Sequence, residues 1–204
     1  NKLNKKYKII TALSMFYDLK NPHSFVRGIV KILHKEGIFV LEHADLLSII
    51  KNCCFDTICH EHLEYYSSNI IINLMKLNKL RVFDIKPNSI NGGSMRYFIC
   101  HNDSKYMNNQ KIIFSILNQE KKLKLDSIKT YYNFFKKINK VKIKLRDLLK
   151  AITNKKLTIH GYGASTKGNV LLQYFGLTNK FIPYIADRNP QKFNTFTPGT
   201  KIKI

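Results

Sequence analysis

The chain contains no tryptophan, only five arginines, four cysteines and 13 acidic residues among its 204 positions. Each scarcity closes off a class of reading. The cysteines (Cys53, Cys54, Cys59 and Cys100) form no C-x-x-C pair and no zinc-ribbon spacing, and the adjacent Cys53 and Cys54 do not readily bridge each other. Neither a disulfide framework nor a Cys-based metal site is therefore expected. Free thiols point to a reducing, cytoplasmic setting. No apolar run approaches the roughly 20 residues of a membrane helix, so no membrane partner is expected. Residues 1–6 are charged but lack the apolar stretch and small-residue cleavage site of a signal peptide.

The shortage of acids against 35 bases leaves a net charge of +22, which at first sight suggests a nucleic-acid binder. The shortage of arginine weakens that reading. Apart from Arg27, Arg81, Arg96, Arg146 and Arg188 the bases are lysines, accompanied by many Asn and Ile. AT-rich codons supply those three residue types. The lysines are spread along the chain instead of alternating with aromatics in one patch, so a nucleic-acid partner is not expected. The charge suits an anionic, phosphate-bearing substrate. At this length, with 44% hydrophobic residues, the chain can bury a core in one large domain or two small ones. It lacks an initiator Met, and residues 201–204 resemble the start of a strand. Both ends read as cut.

The periodicity predicts an α/β protein. Residues 7–13 read as a short buried strand, and residues 23–35 carry Phe25, Ile29, Ile32 and Leu33 at helical spacing. Gly37 is read as a helix stop before a strand at 38–42. This β-α-β rhythm implies a parallel sheet covered by helices. A helix at 69–78 precedes strands at 80–85 and 95–100, which are joined through Asn91-Gly92-Gly93-Ser94 as an antiparallel hairpin. Residues 105–155 read as a long amphipathic connecting helix or helix pair. A second α/β unit follows, with a strand at 157–160, a glycine loop at 161–168, a helix at 169–175 and a strand at 181–186 that ends at Asp187.

Two segments carry chemistry. Residues 55–66, Phe-Asp-Thr-Ile-Cys-His-Glu-His-Leu-Glu-Tyr-Tyr, hold two imidazoles among carboxylates and phenols. Histidine titrates nearest neutrality, so a carboxylate beside it makes a usable general base. A polar loop with chance histidines is the plain alternative. The second segment is Gly161-x-Gly163, which lets backbone N–H groups approach a phosphate at a helix N-terminus. It has Thr166 where a dinucleotide fingerprint places a third glycine, with Asp187 near the position of a ribose-binding acid. Lys167 precedes Gly168, so the segment is not a P-loop. Lys167 is read either as a phosphate ligand or as a solvated helix residue.

Four stretches together resemble the S-adenosylmethionine-dependent sugar C-methyltransferase family, which acts on nucleotide-linked deoxysugars. They are Phe16-Tyr17-Asp18-Leu19 with Pro22 and Phe25; residues 55–62 with Tyr65-Tyr66-Ser67; Asn91-Gly92-Gly93-Ser94; and Gly161-Tyr162-Gly163-Ala164 with Lys167-Gly168, Asp187-Arg188-Asn189-Pro190 and Pro198-Gly199-Thr200. They occur in the family's order across nearly the whole chain. The chain departs from the pattern at Cys59, where relatives carry Tyr. The resemblance implies the C-terminal part of a class I methyltransferase sheet (1–104), a helical connector (105–155) and the start of a Rossmann-like C-terminal domain (156–204). Zinc and the main S-adenosylmethionine loop would belong to preceding segments, and this fragment would be inactive alone.

The resemblance further implies that Glu61-His62 match the family's catalytic pair, with His62 as base and Glu61 as its orienting or charge-stabilising partner. His60, which would share a face with His62 in an extended segment, is read as structural. Substrate contacts are expected from Tyr65, Tyr17, Asn91, Gly92, Gly93, Ser94, Gly163, Ala164 and Lys167, and cofactor contacts from Phe16 and Tyr17. The expected reaction is C-methylation of a nucleotide-linked keto-deoxysugar through a base-generated enolate. Rival readings are a metal site at His60, Glu61 and His62, an NAD(P)- or nucleotide-binding oxidoreductase or module on Gly161 and Gly163, and a basic nucleic-acid-binding protein. The metal reading is disfavoured because adjacent His and Glu on a strand face opposite ways.

Overall fold

A computed structural model describes residues 5–204. The chain separates into two compact units. One comprises residues up to Cys54 together with Glu61–Tyr131, and the other comprises Phe55–His60 with Tyr132–Ile204.

The first unit is a four-stranded sheet covered by helices. Strand β1 (Tyr7–Leu13) runs parallel to β2 (Leu33–Ala44) through the crossover helix α1 (Pro22–Ile32). The sheet order is β1-β2-β4-β3, in which β4 (Ser94–His101) is antiparallel to both β2 and β3 (Leu80–Asn88). The expected hairpin is therefore present, and β3 and β4 each extend past the residues assigned from periodicity. Helix α2 (Leu46–Asn52) follows β2, α3 (Ser68–Leu77) precedes β3, and α4 (Gln110–Leu123) follows β4. This is the α/β arrangement expected of the C-terminal part of a class I methyltransferase sheet.

Local chemistry sets the helix starts. Asn21 caps α1 by accepting from the Ser24 N–H at 2.9 Å, with Pro22 at the first helical position, where its missing N–H costs nothing. Asp45 caps α2 and Ser67 caps α3 in the same manner. The helices bury Val26, Ile29, Ile71 and Met75 against Phe39 and Leu41 of β2, Leu80 and Ile85 of β3, and Tyr97 and Ile99 of β4. Each such side chain contributes roughly 1.5–3 kcal/mol relative to exposure.

Two expectations are corrected here. Gly37 does not end a helix, because α1 stops at Ile32 and β2 begins at Leu33. Gly37 lies within the strand, where a Cβ would come within 2.8 Å of the Tyr7 carbonyl oxygen. The β1–β2 register shifts between Tyr7 and Ile9 at this close approach. Strand β1 is also less buried than expected. Ala12 is covered, but Ile9 and Leu13 are 69% and 52% exposed, since the strand has a described neighbour on one side only.

The helical stretch expected at 105–155 comprises α4 and a second helix, α5 (Ile128–Asn154), and the second unit takes up the chain at Tyr132 within α5. The strands expected at 157–160 and 181–186 shrink to β5 (Gly161–Tyr162) and β6 (Ile185–Ala186), which pair in parallel. Lys156 adopts a positive φ just before the first segment, and Pro183, which has no N–H, interrupts the second. Helix α6 (Thr166–Phe175) starts three residues earlier than expected because Ser165 caps it, accepting from the Gly168 N–H at 3.1 Å. Phe175 is fully buried with Phe55 5.1 Å away, and Arg146 donates to its carbonyl at 2.9 Å. The strand-like residues 201–204 form isolated bridges from Lys203 to Tyr184 and Phe196.

Candidate active site

The residues nominated around the histidine pair converge at the carboxyl end of β1. The chain leaves the strand through a helical turn, Phe16–Asp18. The Tyr17 carbonyl accepts from both the Leu63 N–H (2.9 Å) and the Glu64 N–H (3.2 Å), so the 61–66 segment is held against this turn. As a result the His62 ring lies against Tyr17, with centroids 4.2 Å apart, and meets Tyr65 edge-on at 6.5 Å. His62 and Tyr65 are half-buried and Glu61 is exposed. Residues 60 and 61 form a turn, which corrects the extended arrangement expected to place His60 and His62 on one face.

Phe16 is fully buried behind this pair, with Tyr66 at 5.3 Å, Phe25 at 5.9 Å and His43 at 6.4 Å. The Asn91–Ser94 segment joins the same corner through the backbone. The Asp45 N–H donates to the Gly93 carbonyl at 3.3 Å, and the next N–H, of Leu46, donates to the Tyr66 carbonyl at 3.1 Å. Gly93 has φ +133°, and a Cβ there would meet Ser48 at 2.5 Å. That glycine therefore permits close packing on α2. Gly92 accepts from Asn52 at 2.9 Å, the Ser94 hydroxyl is buried and donates to the Ile90 carbonyl at 2.9 Å, and Asn91 is exposed.

Beside Tyr65 opens a cleft of about 750 Å³, lined among others by Asn69, Glu120, Lys121, Lys124 and Tyr131. This is within the usual range for small-molecule sites. Lys121 and Lys124 supply positive charge and the two tyrosines supply ring surface. Glu120, itself buried, accepts from the Ser68 N–H at 2.6 Å and the Asn69 N–H at 3.1 Å, neutralising the positive end of α3. Replacing Glu120 by Ala leaves those two donors unsatisfied. Chemical denaturation of the intact protein is expected to show a loss of about 2–3 kcal/mol, whereas a change below about 0.5 kcal/mol would mean that solvent replaces the carboxylate freely.

The sequence reading missed a buried polar group behind the site. His43 and Asp45 are fully buried at the end of β2, and Tyr97 is buried beside them with its hydroxyl 3.0 Å from that of Ser68. The His43 ring is stacked with Tyr97 at 5.4 Å. Burial pulls the His43 pKa down to about 4, against the smaller opposing effects of its bond to Ala44 and the Glu42 charge. Burial likewise pushes the Asp45 carboxyl up to about 6, although it accepts from Ser48. A signal was present, because Glu42-His43-Ala44-Asp45 follows an apolar strand run and Asp45-x-x-Ser48 is a helix-start pattern. Glu42 itself is paired with Arg96 at 2.6 Å and accepts from Asn88 at 3.1 Å.

Gly163, Ala164 and Lys167 belong to the second unit. Gly163 turns the chain at φ +89°, with open space where a Cβ would lie. Ala164 is buried, and its N–H donates to Asp187 at 2.7 Å. Lys192 donates to the Ala164 carbonyl at 2.8 Å and to Asp187 at 3.3 Å. The Asp187 carboxyl is held below its usual range by the N–H groups of Asn189 and Ala164. The acid read as a ribose ligand is thus engaged in closing its own loop, which disfavours a dinucleotide site. Lys167 is half-buried in the first turn of α6. Among the described residues, no group of three or more His, Cys, Asp or Glu side chains is arranged to hold a metal ion. No helix there is long and apolar enough to cross a membrane.

Comparison with known proteins places this geometry in context. The C-methyltransferase NovU of Streptomyces niveus is 28% identical over 197 residues, which are 97% of this chain and 47% of the relative. The chain therefore spans about half the length of the curated relative it matches. Two solved structures give weak likenesses that carry no weight on their own. The magnesium protoporphyrin IX methyltransferase of Synechocystis PCC 6803 has TM-score 0.39 and 11% identity over 50% of this chain and 48% of that one. LepI has TM-score 0.41 and 9% identity over 50% and 28%. The model of the C-methyltransferase C-terminal domain matches residues 89–204, more than half of the chain. The chain belongs to the C-methyltransferase family.

Proposed function

We propose that the protein of which this chain forms part transfers a methyl group from S-adenosylmethionine to a carbon of a nucleotide-linked keto-deoxysugar, with His62 as the base. The observation that supports this most directly is the seating of His62 against Tyr17 at the carboxyl end of β1. Open α/β sheets receive their ligands at that end. The cleft beside Tyr65 is lined by Lys121 and Lys124 and equally by Glu120 and Asp126, so its size rather than its charge suits a small-molecule substrate.

The residues here fit one edge of the cofactor. Tyr17, largely buried at the carboxyl end of β1, is the residue assigned to that contact. Bound S-adenosylmethionine supplies an electrophilic methyl. A ring nitrogen of His62 takes the proton from the carbon next to the sugar's carbonyl, and the electron pair of the broken C–H bond passes into an enolate. That carbon would take up the methyl group supplied by bound S-adenosylmethionine, whose sulfonium would become a thioether. Glu61 is assigned to stabilise the imidazolium, and Tyr65, whose ring lies 6.5 Å from that of His62, to hold the enolate oxygen.

The reading is tested by incubating the intact protein with the nucleotide-linked keto sugar in deuterium oxide without S-adenosylmethionine. Deuterium is expected to enter at the carbon next to the carbonyl, read by proton NMR. Methyl transfer without any such exchange, in either the absence or presence of S-adenosylhomocysteine, would rule out a freely formed enolate.

A further inference from the structure

The segment that carries His62 and Tyr65 is anchored at three places, and the anchors differ in kind. The Leu63 and Glu64 N–H groups donate to the Tyr17 carbonyl, and the Tyr66 carbonyl accepts from the Leu46 N–H. Both of these join backbone to backbone. The third lies two residues further on, at the start of α3. There the Ser68 and Asn69 N–H groups donate to the two oxygens of the Glu120 carboxylate, at 2.6 and 3.1 Å. This anchor depends on one side chain, delivered from α4.

The first N–H groups of a helix have no partner within it. In α3 the Ser67 hydroxyl accepts from Ile70 at 3.4 Å, a long bond. The Ser68 and Asn69 donors are left to Glu120. Bonds to a carboxylate are roughly twice as strong as neutral ones, and at 5% exposure water does not compete for this one. The Ser68 hydroxyl, 3.0 Å from that of Tyr97, adds a neutral contact with β4. Position matters as much as strength. Glu120 stands in the wall of the same cleft as Tyr65, Ser67 and Asn69. Tyr65 is only three residues before Ser68, and its ring meets that of His62 edge-on at 6.5 Å.

We propose that Glu120 is a positioning residue: by holding the start of α3 it fixes Tyr65 in the cleft wall and against His62. Its bearing on the reaction rests on the assignment of His62 as base, whereas its hold on the segment does not. Without the carboxylate two helix donors lose their partners, the first turn of α3 frays, and the chain before it is released at its far end.

Residue-resolved hydrogen exchange on the intact protein tests the hold without turnover. In Glu120→Ala the exchange of Ser68 and Asn69 is expected to accelerate, and the acceleration is expected to spread to Leu63 and Glu64, by about 10-fold. Faster exchange confined to Ser68 and Asn69 would make Glu120 a helix cap only and overturn the proposal. On the same samples kcat is expected to fall about 10- to 100-fold, the usual consequence of a small misplacement at a reacting centre. Glu120→Gln keeps the length and one acceptor oxygen, so it should recover part of both effects, and it carries the comparison if Glu120→Ala does not fold. Exchange that spreads to Leu63 and Glu64 with kcat unchanged would uphold the hold on the segment and count against His62 as the base.

Discussion

A His62→Asn substitution in the intact protein is expected to abolish measurable methyl transfer while leaving substrate affinity nearly unchanged. Asparagine keeps a polar side chain of similar reach but cannot take up a proton near neutral pH. A positioned general base accounts for about 10²- to 10⁴-fold in rate, so kcat should fall by at least about 100-fold with little change in substrate Kd. The ring, tilted against Tyr17, is half-buried, so the fold should survive the change. Circular dichroism and substrate titration on the same sample separate a chemical defect from a structural one. Near-normal turnover in this variant would remove His62 from the mechanism. A joint collapse of affinity and fold would make the residue structural instead.

The second large effect concerns pH. His43 and Asp45 are buried neighbours whose titrations are shifted in opposite directions; the Glu42 charge acts on His43, and those of Glu120 and Lys51 act on Asp45. For Asp45 the folded pKa (about 6) lies above the unfolded value of 3.8. The folded state therefore holds the proton more tightly, and stability falls as pH rises through 3.8 to about 6. For His43 the folded pKa (about 4) lies below 6.5. The unfolded state then holds the proton more tightly, and stability falls as pH drops from 6.5 towards 4. Each effect is on the order of 2–3 kcal/mol, and in the wild type they largely offset one another between pH 4 and 6.5. Removing either partner exposes the other. The stability of Asp45→Asn relative to wild type should rise as pH increases from 4 to 7, and that of His43→Leu should rise as pH decreases over the same range. Urea denaturation at several pH values measures both. Parallel pH profiles for the two variants and wild type would mean that these groups titrate as they do in water.

What was legible in the sequence was mostly what is local. The helix starts expected at residues 23 and 69 fall one residue after those observed, since caps such as Asn21 and Ser67 reach only three residues along the chain, and β3 and β4 follow from alternation within each strand. The segment 61–66 stood out because its functional groups are contiguous. The errors arose where a distant residue decides the local shape. Gly37 reads as a helix stop by itself, but the Tyr7 carbonyl lies where its side chain would be, and this makes it a strand residue at a register shift. The strands at 157–160 and 181–186 have apolar composition but form ladders over two residues only. Asp187 sits at a plausible ribose position by counting, yet the Ala164 N–H 23 residues away claims its carboxylate.

By itself the sequence determined that this is an α/β chain, which segments carry its chemistry, and the sugar C-methyltransferase resemblance that its family match supports. Only the tertiary structure decided what surrounds those segments. It set His62 on Tyr17, and it brought His43, Asp45, Tyr66 and Tyr97 together from separate stretches. It also delivered Glu120 to the start of α3 from 52 residues away. The reason is physical. Chain-local hydrogen bonds and periodicity act over a few residues, whereas burial, and with it the pKa of every group in that corner, depends on which distant segments pack together.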